Sequence, residues 1–172
     1  MADLLFLHGL ESGPQGRKAL WLAQRYSSVT PALTTSDFQK SVQEAREALK
    51  EHSPRLVIGS SYGGAVLLEL VCSGVWRGPS LFLAQAGARF LPYDRLPPGV
   101  PALFLHGTED TLIPIEDSRR LVENSSWQSS RSSLVSLWEI QDEHRLNSIL
   151  GPTFHQAIQY LIPDLKPLSE GY

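Results

Sequence analysis

Short, wholly apolar runs alternate along this chain with longer stretches in which apolar residues recur every three or four positions. The short runs read as strands buried on both faces and the spaced stretches as helices with one apolar face. A first strand is predicted over Leu4 to His8. The segment Ser12 to Arg25 follows, with a helix built around Lys18 to Ala23. Val29 to Leu33 reads as a weak second strand, and Pro31 within it has no N–H for a ladder, which puts it at a sheet edge. Ser36-Asp37 start a helix over Phe38 to His52, where Phe38, Val42, Ala45 and Leu49 share a face.

Arg55 to Ser60 is the predicted central strand and Tyr62 to Ser73 its helix, stopped at Gly74. Ser80 to Gln85 makes a further strand. Pro92 to Pro101 is a loop, Ala102 to His106 a fifth strand and Pro114 to Val122 the helix after it. The serine-rich stretch Asn124 to Ser133 reads as an exposed loop, Leu134 to Ile140 as the last strand and Thr153 to Ile162 as the closing helix. The alternation predicts an α/β fold, a three-layer α/β/α sandwich around a central, mostly parallel sheet of about six strands. One domain over residues 1–172 is expected, with 163–172 a loose tail.

Composition narrows the class. A chain of 172 residues, 42% hydrophobic and 19% charged, can bury one sizeable core. A net charge of −3 and the lack of a basic stripe argue against nucleic acid. The N-terminal apolar stretch is too short for a signal-peptide core, and no run approaches a membrane span. The lone Cys72 cannot pair within the chain. These features predict a cytoplasmic protein. The histidines show no metal-ligand spacing and no phosphate-binding glycine loop appears, so neither metal nor cofactor is expected.

The chemistry centres on Gly59-Ser60-Ser61-Tyr62-Gly63-Gly64, between the central strand and its helix. A G-x-S-x-G pentapeptide there is the pattern of a nucleophile elbow, with Ser61 on a strained corner and flanking glycines that let backbone crowd in. A serine needs a base to take its proton, and the base needs a carboxylate to fix its tautomer. In this arrangement the partners follow in the order Ser, acid, His. Asp110, in the loop after the fifth strand, is the candidate acid, with neighbouring Glu109 expected to face solvent. His144, on the polar loop after the last strand, is the candidate base. His52 and His155 lie on helices, and His8 and His106 precede the acid. Two backbone N–H groups are expected to form an oxyanion hole, those of Tyr62 and of Leu10 in the loop after the first strand.

With these residues in place the sequence resembles the α/β-hydrolase fold superfamily, in its small bacterial members without a cap domain. Carrying the resemblance are Leu7-His8-Gly9 with Ser12 and Pro14, the elbow, Leu105-His106-Gly107 through Asp110 to Ile113-Pro114, and Asp142-Glu143-His144-Arg145-Leu146. Two departures stand out: the chain opens at what the superfamily counts as its third strand, and Glu143 stands where many relatives carry Gly or Asp. The resemblance implies hydrolysis of a small or medium carboxylic ester or thioester through an acyl-enzyme on Ser61. It also implies a shallow, open pocket with Leu10, Tyr62, Phe90, Leu91, Leu112 and Ile113 as candidates for its wall. The expected partner is a small-molecule substrate. Two alternatives stay open, an amidase or peptidase using the same triad and a non-catalytic binding or regulatory protein on the same scaffold. Oligomeric state, leaving group and any help from Glu109 or Glu143 are not specified by these residues.

Overall fold

A computed structural model of the chain describes residues 1–126 and 134–168. In chain order its elements are β1 (Leu4–Leu7), α1 (Arg17–Arg25), β2 (Ser28–Val29), α2 (Phe38–His52), β3 (Leu56–Ser60), α3 (Tyr62–Cys72), β4 (Ser80–Leu83), β5 (Ala102–Gly107), α4 (Ile115–Ser126), β6 (Val135–Ile140) and α5 (Pro152–Leu161). Short 3-10 turns cover Gly87–Arg89 and Asn147–Ile149. The strands form one six-stranded sheet in the order β2-β1-β3-β4-β5-β6, with every pairing parallel.

Successive side chains of a strand point to opposite faces, and that sorts the core into two layers. Leu4, Phe6, Leu56 and Ile58 pack with Ala19 and Leu22 of α1 and with Phe154 and Ile158 of α5. Leu5, Leu7 and Val57 pack on the other face with Val42 and Ala45 of α2, Val66 of α3 and Leu121 of α4. Helix α3 is buried along nearly its whole length, which its run of apolar residues requires. The register brings the carboxyl ends of the strands level: Leu7 lies beside Gly59, Ser60 beside Leu83 and Gly107 beside Ile140. Loops leaving that edge therefore meet, as open parallel sheets require of a binding site.

Several boundaries differ from the sequence expectation, each for a local reason. The edge strand shrinks to Ser28–Val29, because beyond it the backbone turns inward and the Leu33 N–H donates to His8 Nε2 at 3.0 Å. Helix α1 begins only at Arg17, after a loop holding Gly13, Pro14 and Gly16. Helix α4 runs on to Ser126, through serines read as loop, since Ser125 and Ser126 donate their hydroxyls to the carbonyls of Leu121 at 2.5 Å and Val122 at 2.8 Å. The remainder of that predicted loop, 127–133, lies outside the described residues. Helix α5 starts at Pro152, whose missing N–H is harmless at a first helical position. The tail is not loose through residue 168: Leu165 is buried, the Leu168 N–H donates to the Arg25 carbonyl at 2.7 Å, and Arg55 grips Asp164 at 2.7 and 2.8 Å. Residues 169–172 lie outside the described part.

Candidate active site

The corner between β3 and α3 is tight. Ser61 has φ 52° and ψ −111°, a region L-residues rarely occupy. Surrounding contacts hold it there: the Ser61 N–H donates to the Leu83 carbonyl at 2.9 Å, and the Ala86 N–H donates to the Ser61 carbonyl at 3.1 Å. The flanking glycines are needed for space. A Cβ on Gly63 would stand 2.0 Å from the Leu7 carbonyl oxygen, and one on Gly59 would stand 2.5 Å from the Gly63 carbonyl oxygen.

Ser61, His144 and Asp110 meet at this corner, although 83 positions separate the first pair and 34 the second. His144 Nε2 lies 2.9 Å from Ser61 Oγ, and His144 Nδ1 lies 2.7 Å from Asp110 Oδ2. With a carboxylate on Nδ1, that nitrogen carries the proton, and Nε2 is left to accept from the serine hydroxyl. The Asp110 side chain is fully enclosed and that of His144 nearly so, at 0% and 17% exposed. Burial alone would raise the Asp110 carboxyl. Hydrogen bonds from the Ile113 N–H, His144 and the Leu112 N–H outweigh it and hold the group below its ordinary value. The two backbone bonds, at 2.8 and 2.9 Å, both reach Oδ1. Glu109 and Glu143 are exposed, as expected for Glu109, and neither joins this relay.

The Tyr62 N–H stands at the first position of α3, ahead of the first bonds of the helix, which run from Gly64 and Ala65 to the Ser61 carbonyl. Such an N–H has no partner inside its own helix. Across from it the loop after β1 is pinned at Gly9. The Gly9 N–H donates to Ser12 Oγ at 3.2 Å, and His8 Nδ1 donates to the Gly9 carbonyl at 2.9 Å. A Cβ on Gly9 would lie 3.5 Å from Ser61 Cβ, so this loop touches the corner with ordinary contacts.

A cleft of about 980 Å³ opens over Ser61 and His144. That is the upper end of the range for small-ligand sites. Residues 9–18 line one side of it. Leu10, Phe90, Leu112 and Ile113 border the cleft. Tyr62 borders it too, but its ring is buried edge-on to Phe38 and Phe90, and its hydroxyl donates to Ser41 Oγ at 2.9 Å. Leu91 is not among the lining residues. It follows Phe90, just past the 3-10 turn Gly87–Arg89, and packs instead against the core on the α3 side. Among the described residues no group of His, Cys, Asp and Glu is placed to hold a metal ion, and no helix is long and apolar enough to cross a membrane.

Residues 8–144 match the family model described as serine hydrolase (FSH1). The chain belongs to the FSH1 serine hydrolase family. Solved structures agree with this family's fold at low sequence identity. A putative hydrolase of the alpha/beta superfamily from Xanthomonas campestris pv. campestris superposes with a TM-score of 0.69 at 20% identity, over 94% of this chain and 98% of that one. Est1E from Butyrivibrio proteoclasticus gives 0.67 at 14%, over 93% and 86% of the two chains. The monoacylglycerol lipase of Paleococcus ferrophilus gives 0.65 at 15%, over 93% of each. The fold is thus that of a small α/β hydrolase with an all-parallel sheet. No curated protein matches the sequence.

Sequence reasoning set aside His106 in this FSH1-family chain, because it precedes the acid and cannot be the base. Its ring nevertheless touches the site from below. Buried His106 Nε2 lies 3.0 Å from the Ile113 carbonyl and 3.2 Å from Asp110 Oδ2. Behind it the hydrogen bonds have one consistent direction. The Gly87 N–H donates to Gln85 Oε1 at 2.6 Å, Gln85 Nε2 donates to Ser118 Oγ at 3.2 Å, and the Ser118 hydroxyl donates to His106 Nδ1 at 2.8 Å. That leaves the proton on His106 Nε2, donated to the Ile113 carbonyl with Asp110 Oδ2 alongside at 3.2 Å. Asp110 Oδ2 is thus bonded by His144 and Oδ1 by two backbone N–H groups. The available sequence signal was a histidine four positions before the acid, at the end of a buried strand.

Proposed function

We propose that this FSH1-family member is a carboxylesterase or thioesterase acting through an acyl-enzyme on Ser61. The observation that carries the reading is the unbroken relay Ser61 Oγ–His144 Nε2 at 2.9 Å and His144 Nδ1–Asp110 Oδ2 at 2.7 Å. Ser61 Oγ attacks the carbonyl carbon while His144 Nε2 takes its proton and Asp110 stabilises the imidazolium. The N–H groups of Leu10 and Tyr62 receive the developing oxyanion. As the bond to the leaving oxygen or sulfur breaks, His144 returns the proton to that atom. A water then repeats the sequence on the acyl-enzyme, releasing the carboxylic acid and free Ser61. A small or medium acyl group suits the cleft, whose apolar border is Leu10, Phe90, Leu112 and Ile113. Est1E and the monoacylglycerol lipase named above, both of this fold, lend support to ester over amide. We also read the protein as cytoplasmic, since its single cysteine, Cys72, has no partner in the chain for a disulfide.

A fluorophosphonate probe should label Ser61 covalently, and labelling should vanish in Ser61→Ala and His144→Ala. Turnover of a short p-nitrophenyl ester should drop in both variants by about a thousandfold or more. Equal turnover by Ser61→Ala and wild type would remove the serine mechanism. A folded protein that neither takes the probe nor hydrolyses any ester would point to a binding role instead.

A further inference from the structure

The cleft carries a charge that the rest of the molecule does not. The chain as a whole has a net charge of −3. Yet four cations, Arg17, Lys18, Arg89 and Arg145, line the cleft against one carboxylate, Glu11. Lys18 and Arg145 meet next to His144, with Arg17 one position before Lys18 in α1. Lys18 Nζ donates to the Arg145 carbonyl at 2.5 Å, and Arg145 Nη2 reaches Glu11 Oε2 only at 3.5 Å, between two exposed side chains. Arg17 pairs with no carboxylate among the described residues. Asp142, which attracts Lys18, lies outside the cleft lining and already accepts the N–H groups of Glu143 at 2.7 Å and Ser148 at 2.8 Å.

This placement runs against local preference. Arg17 and Lys18 occupy the first turn of α1, where the helix dipole disfavours cations, and no acidic residue in that turn offsets them. Burial pushes the Lys18 ammonium down to about 8. The nearby Asp142 opposes that fall, while Arg17 and Arg145 add to it. Charges held against such costs point to a functional demand. The far side of the cleft is more apolar, with Phe90 and Leu112 presenting exposed surface, and its one cation, Arg89, donates to the Leu112 carbonyl.

The relay gives the cleft a direction. His144 hands its proton to the leaving atom, so the leaving group must lie beside His144 and the acyl group away from it. We propose that the substrate is an ester or thioester with an apolar acyl part and a leaving alcohol or thiol that carries an anionic group, carboxylate or phosphate, held by Arg17, Lys18 and Arg145. This inference rests on the serine hydrolase reading above.

The test compares kcat/KM for meta-carboxyphenyl butyrate, its meta-phosphate counterpart and the neutral meta-carbamoylphenyl butyrate. The ratio of anionic to neutral ester, taken within each variant so that partial misfolding and intrinsic leaving-group reactivity cancel, should fall about tenfold in Arg17→Ala and in Arg145→Ala, the worth of one charged hydrogen bond. Added salt should lower it too. Arg120→Ala on α4, paired with Asp117 away from the cleft, should leave it unchanged. The carboxylate and phosphate arms tell which oxyanion is preferred. Phenyl monosuccinate, with its charge on the acyl side, should gain nothing over phenyl butyrate. Unchanged ratios in both arginine variants, or a preference for the succinate, would overturn the proposal. Failure of the fluorophosphonate to label Ser61 would instead remove the hydrolase reading beneath it.

Discussion

Asp110 illustrates how much a single enclosed carboxylate depends on its donors. Left bare at 0% side-chain exposure it would hold its proton, but the Ile113 N–H, His144 and the Leu112 N–H favour the ionised state. Its native pKa therefore lies below the ordinary 3.8. A carboxyl depressed on folding contributes stability that is present above the unfolded value and lost as pH falls through the native one. Chemical-denaturation midpoints followed downward from about pH 5 should consequently fall more steeply for wild type than for Asp110→Asn. Parallel curves would mean that the aspartate is not held as its hydrogen bonds indicate. At this scale the residue types were legible from the chain, since Ser61, Asp110 and His144 stand in the expected order beyond strand ends. The place of His106 beneath the acid loop was not, because its partners, Ser118 of α4 and the Ile113 carbonyl, come from two different segments.

The β3–α3 unit shows the same division one level up. A β-branched run, a small-residue corner and an apolar helix are all local signals, and the structure reproduces them to within a residue. What the pattern leaves out is which glycine matters most. Both Gly9 and Gly63 lie near the corner, but an added methyl at Gly9 meets neighbours at 3.5 Å whereas one at Gly63 meets the β1 backbone at 2.0 Å. The β1 backbone is locked in the sheet and cannot give way. Gly63→Ala should thus cost about 3 kcal/mol or more, or prevent folding, while Gly9→Ala should cost less than about 1 kcal/mol. Thermal melts of the two variants separate these outcomes, and equal stability would show the corner to be looser than the contacts imply. Where elements end was less legible than that they exist. Helix α4 outran its predicted stop, and the Ser125 and Ser126 hydroxyls find their partners in the carbonyls one turn back.

Across the whole molecule, burial rather than surface charge fixes the chain's last described segment. Arg55 and Asp164 form a close pair, but both side chains are substantially exposed, at 43% and 77%, so Asp164→Ala should cost less than about 1 kcal/mol. Leu165, at 4% exposure, packs under α5 with the α1-side core. Leu165→Ala should cost about 2 kcal/mol, or roughly 4–8 °C in Tm. Calorimetry of the two variants decides the ranking. The alternation of short apolar runs and helical spacings already specified a layered α/β fold, an edge position for the Pro31 segment and the elbow, because each of these follows from periodicity and residue size within a few neighbours. Only the tertiary structure decided that His144 turns one nitrogen to Ser61 and the other to Asp110, that Leu91 joins the core while Leu112 borders the cleft, and that Lys18 of α1 meets the Arg145 carbonyl next to the histidine. Those outcomes depend on how strands far apart in the chain align in register and on where their loops are packed, and no local window of sequence contains that information.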